Sequence, residues 1–349
     1  MPLIIEGRVP AHWGERKSRL AHTHLFAKSV KVTLINNMPD PALEDTERQF
    51  FELLDDASGD LPVVLKLCAL AGVSRSDRGL PHLNSFYFGI ENLWNEPFDA
   101  LIMTGTEPRQ SDLRQEPYWR EMAEVLDWAE DNTFSTVLSC LAAHAGVLHS
   151  DGIPRRSLPD KLFGVFDSGR VCVHPLTASL GEFVRFPHSR WNDVGGNDLK
   201  AHGYTLLTQS HDGGVDLFAK SKGKSLVVYF QGHPEYGAQT LLKEYRRDVK
   251  RFLRGERTSY PSMPRGYFHD NAARAMASFQ QEAVNDPRED LMTLFPYDLV
   301  SDELSNTWRS SAIAIYRNWL QYVYAKKADA SSFVAFNTRL GSVRLPASR

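Results

Sequence analysis

Short runs of apolar and β-branched residues alternate with amphipathic stretches through the first two thirds of the chain. Turn residues bound each apolar run, which is typical of strands buried in a sheet. The alternation of such strands with helices predicts an α/β fold with a doubly wound, mostly parallel sheet covered on both faces. The predicted strands are residues 30–36, 62–70, 98–105, 134–140, 204–209, 215–220 and 225–232.

Apolar residues three and four positions apart predict the helices that lie between and after these strands. Two of the helices, 42–56 and 116–131, carry acidic residues in their first turn, which the helix dipole favours. The last helix has apolar residues along one side and is expected to pack on the main body. The other predicted helices are 238–256, 270–284 and 307–328.

We expect the chain to have two parts, an α/β domain over residues 1–256 and a linker with C-terminal helices over 257–349 that pack on it. Within the first part, residues 150–203 are rich in Gly, Pro and His and have only short apolar runs. This composition predicts an inserted segment of irregular structure and short strands that walls a pocket. The tail after about residue 329 is polar, and we expect it to be mobile.

The composition favours a small-molecule function. The chain has 349 residues, 42% hydrophobic and 24% charged, as ordinary globular proteins do. A formal charge of −3 gives no electrostatic reason to expect nucleic acid or an anionic membrane as a partner. No apolar run approaches the roughly 20 residues that cross a bilayer. Three cysteines without a CxxC pair, and no signal segment, predict a soluble cytoplasmic protein with free thiols.

One cysteine stands at a strand end and directly before a predicted helix, in the sequence STVLSCLAAHAGVLH. A sharp strand-to-helix turn would expose the sulfur of Cys140 above the sheet edge, where a helix N-terminus stabilises a thiolate. The pattern fits an inert core cysteine equally well, because free cysteine is among the most buried residue types. This stretch alone leaves both interpretations open. For Cys68 and Cys172, which lie inside apolar runs, the core interpretation is stronger.

A second stretch, FQGHPEYGAQTL, favours catalysis. His233 and Glu235 follow another apolar strand, with a proline between them. Functional groups collect at the carboxyl ends of the strands in a doubly wound sheet, so this pair and Cys140 can meet. His233 would then accept the thiol proton, and Glu235 would orient the imidazole ring, as in a catalytic triad.

The order of these motifs resembles a known family. A strand–Cys–helix turn followed later by GHPEY is similar to the flavodoxin-like class I glutamine-amidotransferase fold, and in particular to the homoserine O-succinyltransferase/O-acetyltransferase family of methionine biosynthesis. The resemblance runs through most of the chain. It is carried by INNMPDPALEDTERQF (35–50), MTGTEP (103–108), PYW (117–119), GIPRRSLPDKLFGVF (152–166), PHSR (187–190), GHPEYGAQTLLKEYRRDV (232–249) and TWRSSAIAIYRNWLQYVY (307–324).

The resemblance implies an acyl transfer through the cysteine. Cys140 matches the acyl-thioester nucleophile, His233 the general base and Glu235 the carboxylate that orients it. Acyl-CoA would acylate Cys140, and the hydroxyl of L-homoserine would then take the acyl group. The N–H of Leu141, the residue after the nucleophile, would hold part of the oxyanion. Acyl-CoA is a co-substrate in this reaction, and we expect neither a cofactor nor a metal.

The resemblance also implies a set of substrate-contacting residues, which are Lys161, Ser189 and Arg247. The chemistry of these side chains agrees with that role. An amino-acid substrate presents a carboxylate, for which the planar guanidinium of Arg247 is the natural bidentate partner.

Asp112 falls at the position that tracks acyl preference in the family, where Gly accompanies succinyl and Glu accompanies acetyl. An acidic side chain would repel the free carboxylate of succinyl-CoA, so simple electrostatics favours an acetyl donor. Arg109 and Arg114 lie close by in the sequence and could reverse that preference. The acyl donor therefore stays open between acetyl and succinyl.

Other positions depart from the family pattern. Leu141 stands where the family usually has Trp, and His144 where it usually has Gln. Asp40 and Pro41 follow the Met-Pro turn, where the family usually carries Lys. The chain also has extra sequence over about 257–305.

Three alternatives remain open beside a homoserine acyltransferase. The acceptor could be another hydroxy amino acid such as L-serine, or the triad could belong to a hydrolase or glutamine amidotransferase. The departures also allow a catalytically idle binding homologue. The last helix and the helix over 42–56 are candidates for a homodimer contact, and the sequence leaves the oligomeric state undecided.

Overall fold

A computed structural model of the protein describes residues 3–13 and 29–341, with side chains through residue 332. One mixed sheet of ten strands runs through it. The strands are β1 (Leu3–Ile5), β2 (Val30–Ile35), β3 (Val63–Cys68), β4 (Ala100–Met103), β5 (Ser135–Ser139), β6 (Arg156–Arg170), β7 (Phe183–Asp193), β8 (Thr205–Ser210), β9 (Gly214–Lys222) and β10 (Ser225–Phe230).

The sheet has a parallel half and an antiparallel half. Its strand order is β1-β3-β2-β4-β5-β10-β9-β8-β6-β7. Neighbours are parallel from β1 to β10, and antiparallel from β10 to β7. The predicted α/β class and all seven predicted strands are confirmed. Parallel pairing places the carboxyl ends of β2, β3, β4, β5 and β10 at one edge, which is where ligands bind in such sheets.

Helices cover both faces of the sheet. They are α1 (Asp40–Ser58), α2 (Gly79–Phe86), α3 (Asn92–Asn95), α4 (Trp119–Asn132), α5 (Leu141–Asp151), α6 (Gly196–Ala201), α7 (Thr240–Leu253), α8 (Asp270–Asn285), α9 (Tyr297–Ser301) and α10 (Arg309–Gly341). Strand side chains alternate between two cores, one closed by α1 and α10 and the other by α4 and α5. A third core joins α7, α8 and part of β6.

The segment over 150–203 differs from its prediction. Instead of irregular structure and short strands, β6 and β7 form a long antiparallel hairpin that extends the sheet as its edge. The sequence did not predict this hairpin, because the first half of β6 is largely exposed and therefore lacks an apolar pattern. Its pairing with β7 is also interrupted between Ser157 and Leu162. An exposed strand lacks the apolar alternation from which strands are recognised.

The last helix is longer than predicted. It continues to Gly341, past the expected end at about residue 328. The expected mobility of the tail stays a prediction. Residues 342–349 lie outside the described part. Trp319 and Tyr316 of α10 are fully buried in the core that α1 shares. The two helices proposed for a homodimer contact therefore bury their apolar faces against each other within one chain.

The structure bears on two further expectations, the free cysteine thiols and the lack of a membrane-spanning segment. Cys68, Cys140 and Cys172 are all free thiols. Within residues 3–13 and 29–341, every helix is too short or too polar to cross a membrane. The boundary at residue 256 stays a prediction.

Candidate active site

Cys140 occupies a sharp turn between β5 and α5. Its φ of 53° makes it the single non-glycine residue with positive φ in the described part of the chain. Its N–H donates to the carbonyl of Phe230, 2.7 Å away, which ties the turn to the end of β10. A left-handed conformation at a residue with a side chain is strained, and such strain is concentrated at functional sites. The predicted strand-to-helix turn is present.

His233 and Glu235 lie beside this turn. Ser139, the last residue of β5, pairs with Phe230, the last residue of β10, so the chain beyond β10 passes next to Cys140. His233 Nδ1 lies 2.9 Å from Glu235 Oε1, and both side chains are buried. The Ser139 hydroxyl also donates to Glu235 Oε1, at 3.3 Å. The Cys140 sulfur lies near enough to the His233 ring to act on its charge.

The surroundings of His233 favour its protonated form. Burial by itself would lower the pKa of His233, but the nearby Cys140 sulfur and Glu235 carboxylate more than offset it and raise the pKa well above its usual value. A protonated imidazole therefore faces the Cys140 sulfur. By contrast, burial raises the pKa of the Cys68 thiol to about 12, and Cys172 donates its S–H to the Leu206 carbonyl.

Backbone amides face the same turn. The first hydrogen bond within α5 runs from His144 N to Cys140 O at 3.2 Å, so the N–H of Leu141 has no partner inside the helix. Gly105, just beyond β4, packs against Leu141. A Cβ at Gly105 would lie 2.6 Å from Leu141 Cβ and 2.9 Å from Leu141 N, so only glycine permits this approach. The arrangement is suited to hold an oxyanion at the Leu141 N–H.

Lys161, Ser189 and Arg247 come together around two carboxylates of α7. Lys161 Nζ lies 2.9 Å from Asp248 Oδ2 and 3.5 Å from Glu244 Oε2. Arg247 Nη2 lies 2.9 Å from Asp248 Oδ1, and the Ser189 hydroxyl donates to Glu244. Two cations and two carboxylates therefore balance in one cluster, which we call the α7 cluster.

Tyr236 connects the α7 cluster with His233. Its ring stacks on the His233 ring, with the centroids 4.2 Å apart, and its hydroxyl donates to Glu244 Oε1 at 2.7 Å. A molecule held by the α7 cluster would therefore lie beside His233.

Asp112 lies in the loop between β4 and α4. It caps a short 3₁₀ helix (Leu113–Gln115), and every side-chain hydrogen bond that the structure gives it goes to Arg114, including a contact of 2.9 Å from Arg114 Nη2. Glu116 Oε1 accepts the amide N–H groups of Arg109 and Gln110 and fixes the same loop. This loop forms one wall of a cavity of about 250 Å³ at the carboxyl edge of the sheet.

Comparison with known proteins places this geometry in a family. The model of the homoserine O-succinyltransferase family matches residues 17–329. A homoserine O-succinyltransferase of Rhodopseudomonas palustris is 45% identical over 296 residues, which cover 84% of this chain and 88% of that protein. One of Methylorubrum extorquens is 41% identical and covers 87% of this chain and 90% of its own length. The chain belongs to the homoserine O-succinyltransferase family.

Solved structures outside the homoserine O-succinyltransferase family are more distant. A glutamine amidotransferase from Thermotoga maritima has a TM-score of 0.44 and 12% identity, covering 84% of this chain and 98% of that one.

Two departures from the usual homoserine O-succinyltransferase pattern have structural explanations. His144 Nε2 bonds Gln231 Oε1 at 2.9 Å, and the same oxygen accepts the Val194 N–H at 2.9 Å. Burial lowers the pKa of His144 to about 3, so the ring is neutral and structural. Asp40 begins α1 and accepts the Ser76 N–H at 2.7 Å, which fixes the loop after β3.

Sequence reasoning missed the acidic half of the α7 cluster. Glu244 and Asp248 are four residues apart on a helix, and this spacing places both carboxylates on one face. The pattern EYRRD could have revealed them. Ser139 and Tyr236 had no comparable pattern, because their roles depend on contacts between distant strands and loops.

Proposed function

We propose that the protein transfers an acyl group from acyl-CoA to the hydroxyl of L-homoserine through a thioester on Cys140, a step of methionine biosynthesis. The observation that carries this proposal is the strained Cys140 turn opposite the buried His233–Glu235 pair. Membership of the homoserine O-succinyltransferase family supports the choice of acceptor.

In the first half-reaction, the Cys140 thiolate attacks the thioester carbonyl of acyl-CoA. The oxyanion that forms is stabilised by the Leu141 N–H at the start of α5. The bond to the CoA sulfur then breaks, and the leaving CoA takes the proton from His233. The products are the acylated Cys140, free CoA and a neutral His233 that can act as a base.

In the second half-reaction, His233 removes the proton from the acceptor hydroxyl. The hydroxyl oxygen attacks the acyl carbonyl, and Cys140 leaves as a thiolate that again faces a protonated His233. Glu235 keeps the ring in position through its bond to Nδ1. The released product is the O-acyl ester of the acceptor.

The α7 cluster supports an amino acid as the acceptor. Lys161 and Arg247 balance Glu244 and Asp248, so the cluster has groups for both charges of a zwitterion. The guanidinium of Arg247 would hold the α-carboxylate, and Glu244 would receive the ammonium group. Tyr236 between Glu244 and His233 would place the acceptor hydroxyl near the base.

The acyl group proposed is succinyl, the one in the names of the relatives. A preference for acetyl through repulsion would require a free negative charge at Asp112. Since Arg114 neutralises this carboxylate at contact distance, a succinyl donor meets little repulsion there.

The proposal is tested with acetyl-CoA and succinyl-CoA, each combined with L-homoserine, L-serine or no acceptor. We expect CoA release that depends on L-homoserine, and an O-acyl ester among the products. Equal CoA release without an acceptor would indicate a hydrolase, and preference for L-serine would change the acceptor. Release of ammonia from glutamine would favour an amidotransferase.

A further inference from the structure

Arg155 lies near enough to Cys140 to interact with it electrostatically, and it has no role in the proposed function. Arg155 follows α5, the helix that begins at Cys140, and buried Ile153 anchors the chain just before it. Its guanidinium is half-buried and interacts electrostatically with Cys140, Glu116 and Tyr118. Hydrogen bonds from the side chain to the carbonyls of Gln110 and Ser111 tie it to the loop that carries Asp112.

The guanidinium of Arg155 is held by neutral groups. Its Nη2 donates to the backbone carbonyls of Gln110 at 3.2 Å and Ser111 at 3.3 Å. Within residues 3–13 and 29–332, no carboxylate lies at ion-pair distance from Arg155, and its Nε and Nη1 bond no other side chain. In this it differs from Arg114 and Arg247, which are paired with Asp112 and Asp248.

Glu116, the carboxylate that acts electrostatically on Arg155, uses one of its oxygens to hold the loop. Glu116 Oε1 accepts two backbone N–H groups, from Arg109 at 2.5 Å and Gln110 at 2.6 Å. The hydrogen-bond partners of Arg155 are neutral carbonyls, so its half-buried charge is left unbalanced until an anion joins it during function. The guanidinium is thus oriented by the loop while part of its N–H fork remains available.

A second group in the same place lacks a partner. The Tyr118 side chain is 4% exposed, and its buried hydroxyl has no hydrogen-bond partner in the described part of the chain. Tyr118 lines the 250 Å³ cavity together with Glu116 and the turn after β4. Buried hydroxyls normally have partners, so the Tyr118 hydroxyl has an unused donor that a ligand oxygen could accept.

We propose that Arg155 determines donor specificity by binding the free carboxylate of a succinyl group, with the Tyr118 hydroxyl as a second donor. This inference rests on the acyl-thioester function proposed above. Acylation converts the Cys140 thiolate to a neutral thioester, which removes one negative charge from the surroundings of Arg155. The succinyl carboxylate restores that charge and matches the planar guanidinium. An acetyl group has no carboxylate and cannot form this contact.

The experiment compares Arg155→Gln and Arg155→Lys with the wild type, using succinyl-CoA and acetyl-CoA in parallel at saturating L-homoserine. For Arg155→Gln we expect kcat/KM for succinyl-CoA to fall roughly tenfold to several-hundredfold, as for a lost charge-assisted contact. The value for acetyl-CoA should stay within about threefold. Arg155→Lys keeps the charge without the fork and should give an intermediate loss with succinyl-CoA.

Arg156→Gln is the matched control. Its side chain is 68% exposed and pairs with Asp198 at 2.7 Å, so both donors should react as in the wild type. Equal losses with both donors in Arg155→Gln would overturn the proposal, because Arg155 would then serve the CoA portion or the fold. An unchanged rate with succinyl-CoA would also overturn it. If Arg155→Gln fails to fold, the Arg155→Lys variant provides the test. Equal losses of kcat/KM with both donors in that variant would also overturn the proposal.

The two proposals can fail separately. If the wild type transfers acetyl faster than succinyl, the role of Arg155 is refuted while the acyl-thioester function stands. If the wild type forms no thioester with either donor, the proposed function itself is refuted.

Discussion

At Cys140 the chain turns from strand to helix within one residue, and the backbone adopts a conformation that side chains disfavour. The turn exposes the sulfur and leaves the first helical N–H groups unpaired. Both consequences fit the proposed acyl transfer, in which the sulfur would be the nucleophile and the N–H groups would stabilise the oxyanion. The sequence predicted the strand-to-helix turn because an apolar run ends at Cys140 and residues with helical spacing follow it. The catalytic role of Cys140 stays a prediction.

The first prediction concerns the charge of His233. Both Cys140 and Glu235 raise the pKa of the His233 ring, whereas burial lowers it. Cys140→Ala removes one of the raising groups, so the ring should titrate at lower pH than in the wild type. Glu235→Gln should shift the titration in the same direction. Histidine NMR as a function of pH measures both changes. An identical titration in the wild type and Cys140→Ala would show that the two side chains do not interact.

A second prediction concerns the acceptor. In Arg247→Ala, Cys140 should still be acylated, but kcat/KM for L-homoserine should fall roughly tenfold to several-hundredfold, because the acceptor carboxylate loses its bidentate partner. Lys161→Ala should act in the same direction but less strongly, since an ammonium is less directional. Pre-steady-state acylation and steady-state acceptor kinetics separate the two steps.

Arg246→Ala is the control for Arg247, since Arg246 faces the Tyr297 ring instead of the α7 cluster. It should leave acceptor kinetics unchanged. Loss of acylation in Arg247→Ala with unaltered use of L-homoserine would place Arg247 on the donor side.

Among the elements, the sequence predicted the long helices that bury one face and the strands that are buried on both faces. The strands over 30–36, 134–140 and 225–232 have continuous apolar runs because both of their faces are covered. The β6–β7 hairpin at the sheet edge is half exposed, and its pattern was too weak to be recognised. The sequence placed the end of α10 too early, because the polar composition of its last turns does not distinguish a helix from an irregular tail.

The third prediction tests whether α10 is part of the main fold. Trp319 is fully buried, and its Nε1–H donates to the Ser135 hydroxyl of β5 at 2.9 Å. Trp319→Ala should lower the free energy of unfolding by about 3–5 kcal/mol, as for large aromatic side chains in cores. Tyr324→Ala, on the same helix and 39% exposed, should change it by less than about 1 kcal/mol. Urea denaturation of both variants gives the comparison. Similar small effects would mean that α10 is not needed for the core.

At the scale of the whole molecule, parallel strand pairing explains how distant motifs form one site. Cys140 and His233 are far apart in sequence and meet because β5 and β10 are neighbours. The sequence predicted this meeting from the fold class. It could not predict how Lys161, Ser189 and Arg247 share Glu244 and Asp248, since these contacts depend on side-chain directions in β6, β7 and α7. For the same reason the sequence could not predict that Arg114 pairs with Asp112, or that the guanidinium of Arg155 has no carboxylate partner among the described residues.

In the proposed reaction Cys140 carries the acyl group between donor and acceptor, and intact-protein mass spectrometry detects this intermediate. Incubated with succinyl-CoA alone, the wild type and Cys172→Ala should each gain the mass of one succinyl group, which peptide mapping places on Cys140. Addition of L-homoserine should remove that mass and yield the ester. Cys140→Ala should keep its fold and gain no mass. If the wild type forms the ester without ever gaining the succinyl mass, Cys140 does not carry the acyl group. A Cys140→Ala protein that still gains this mass would lead to the same conclusion.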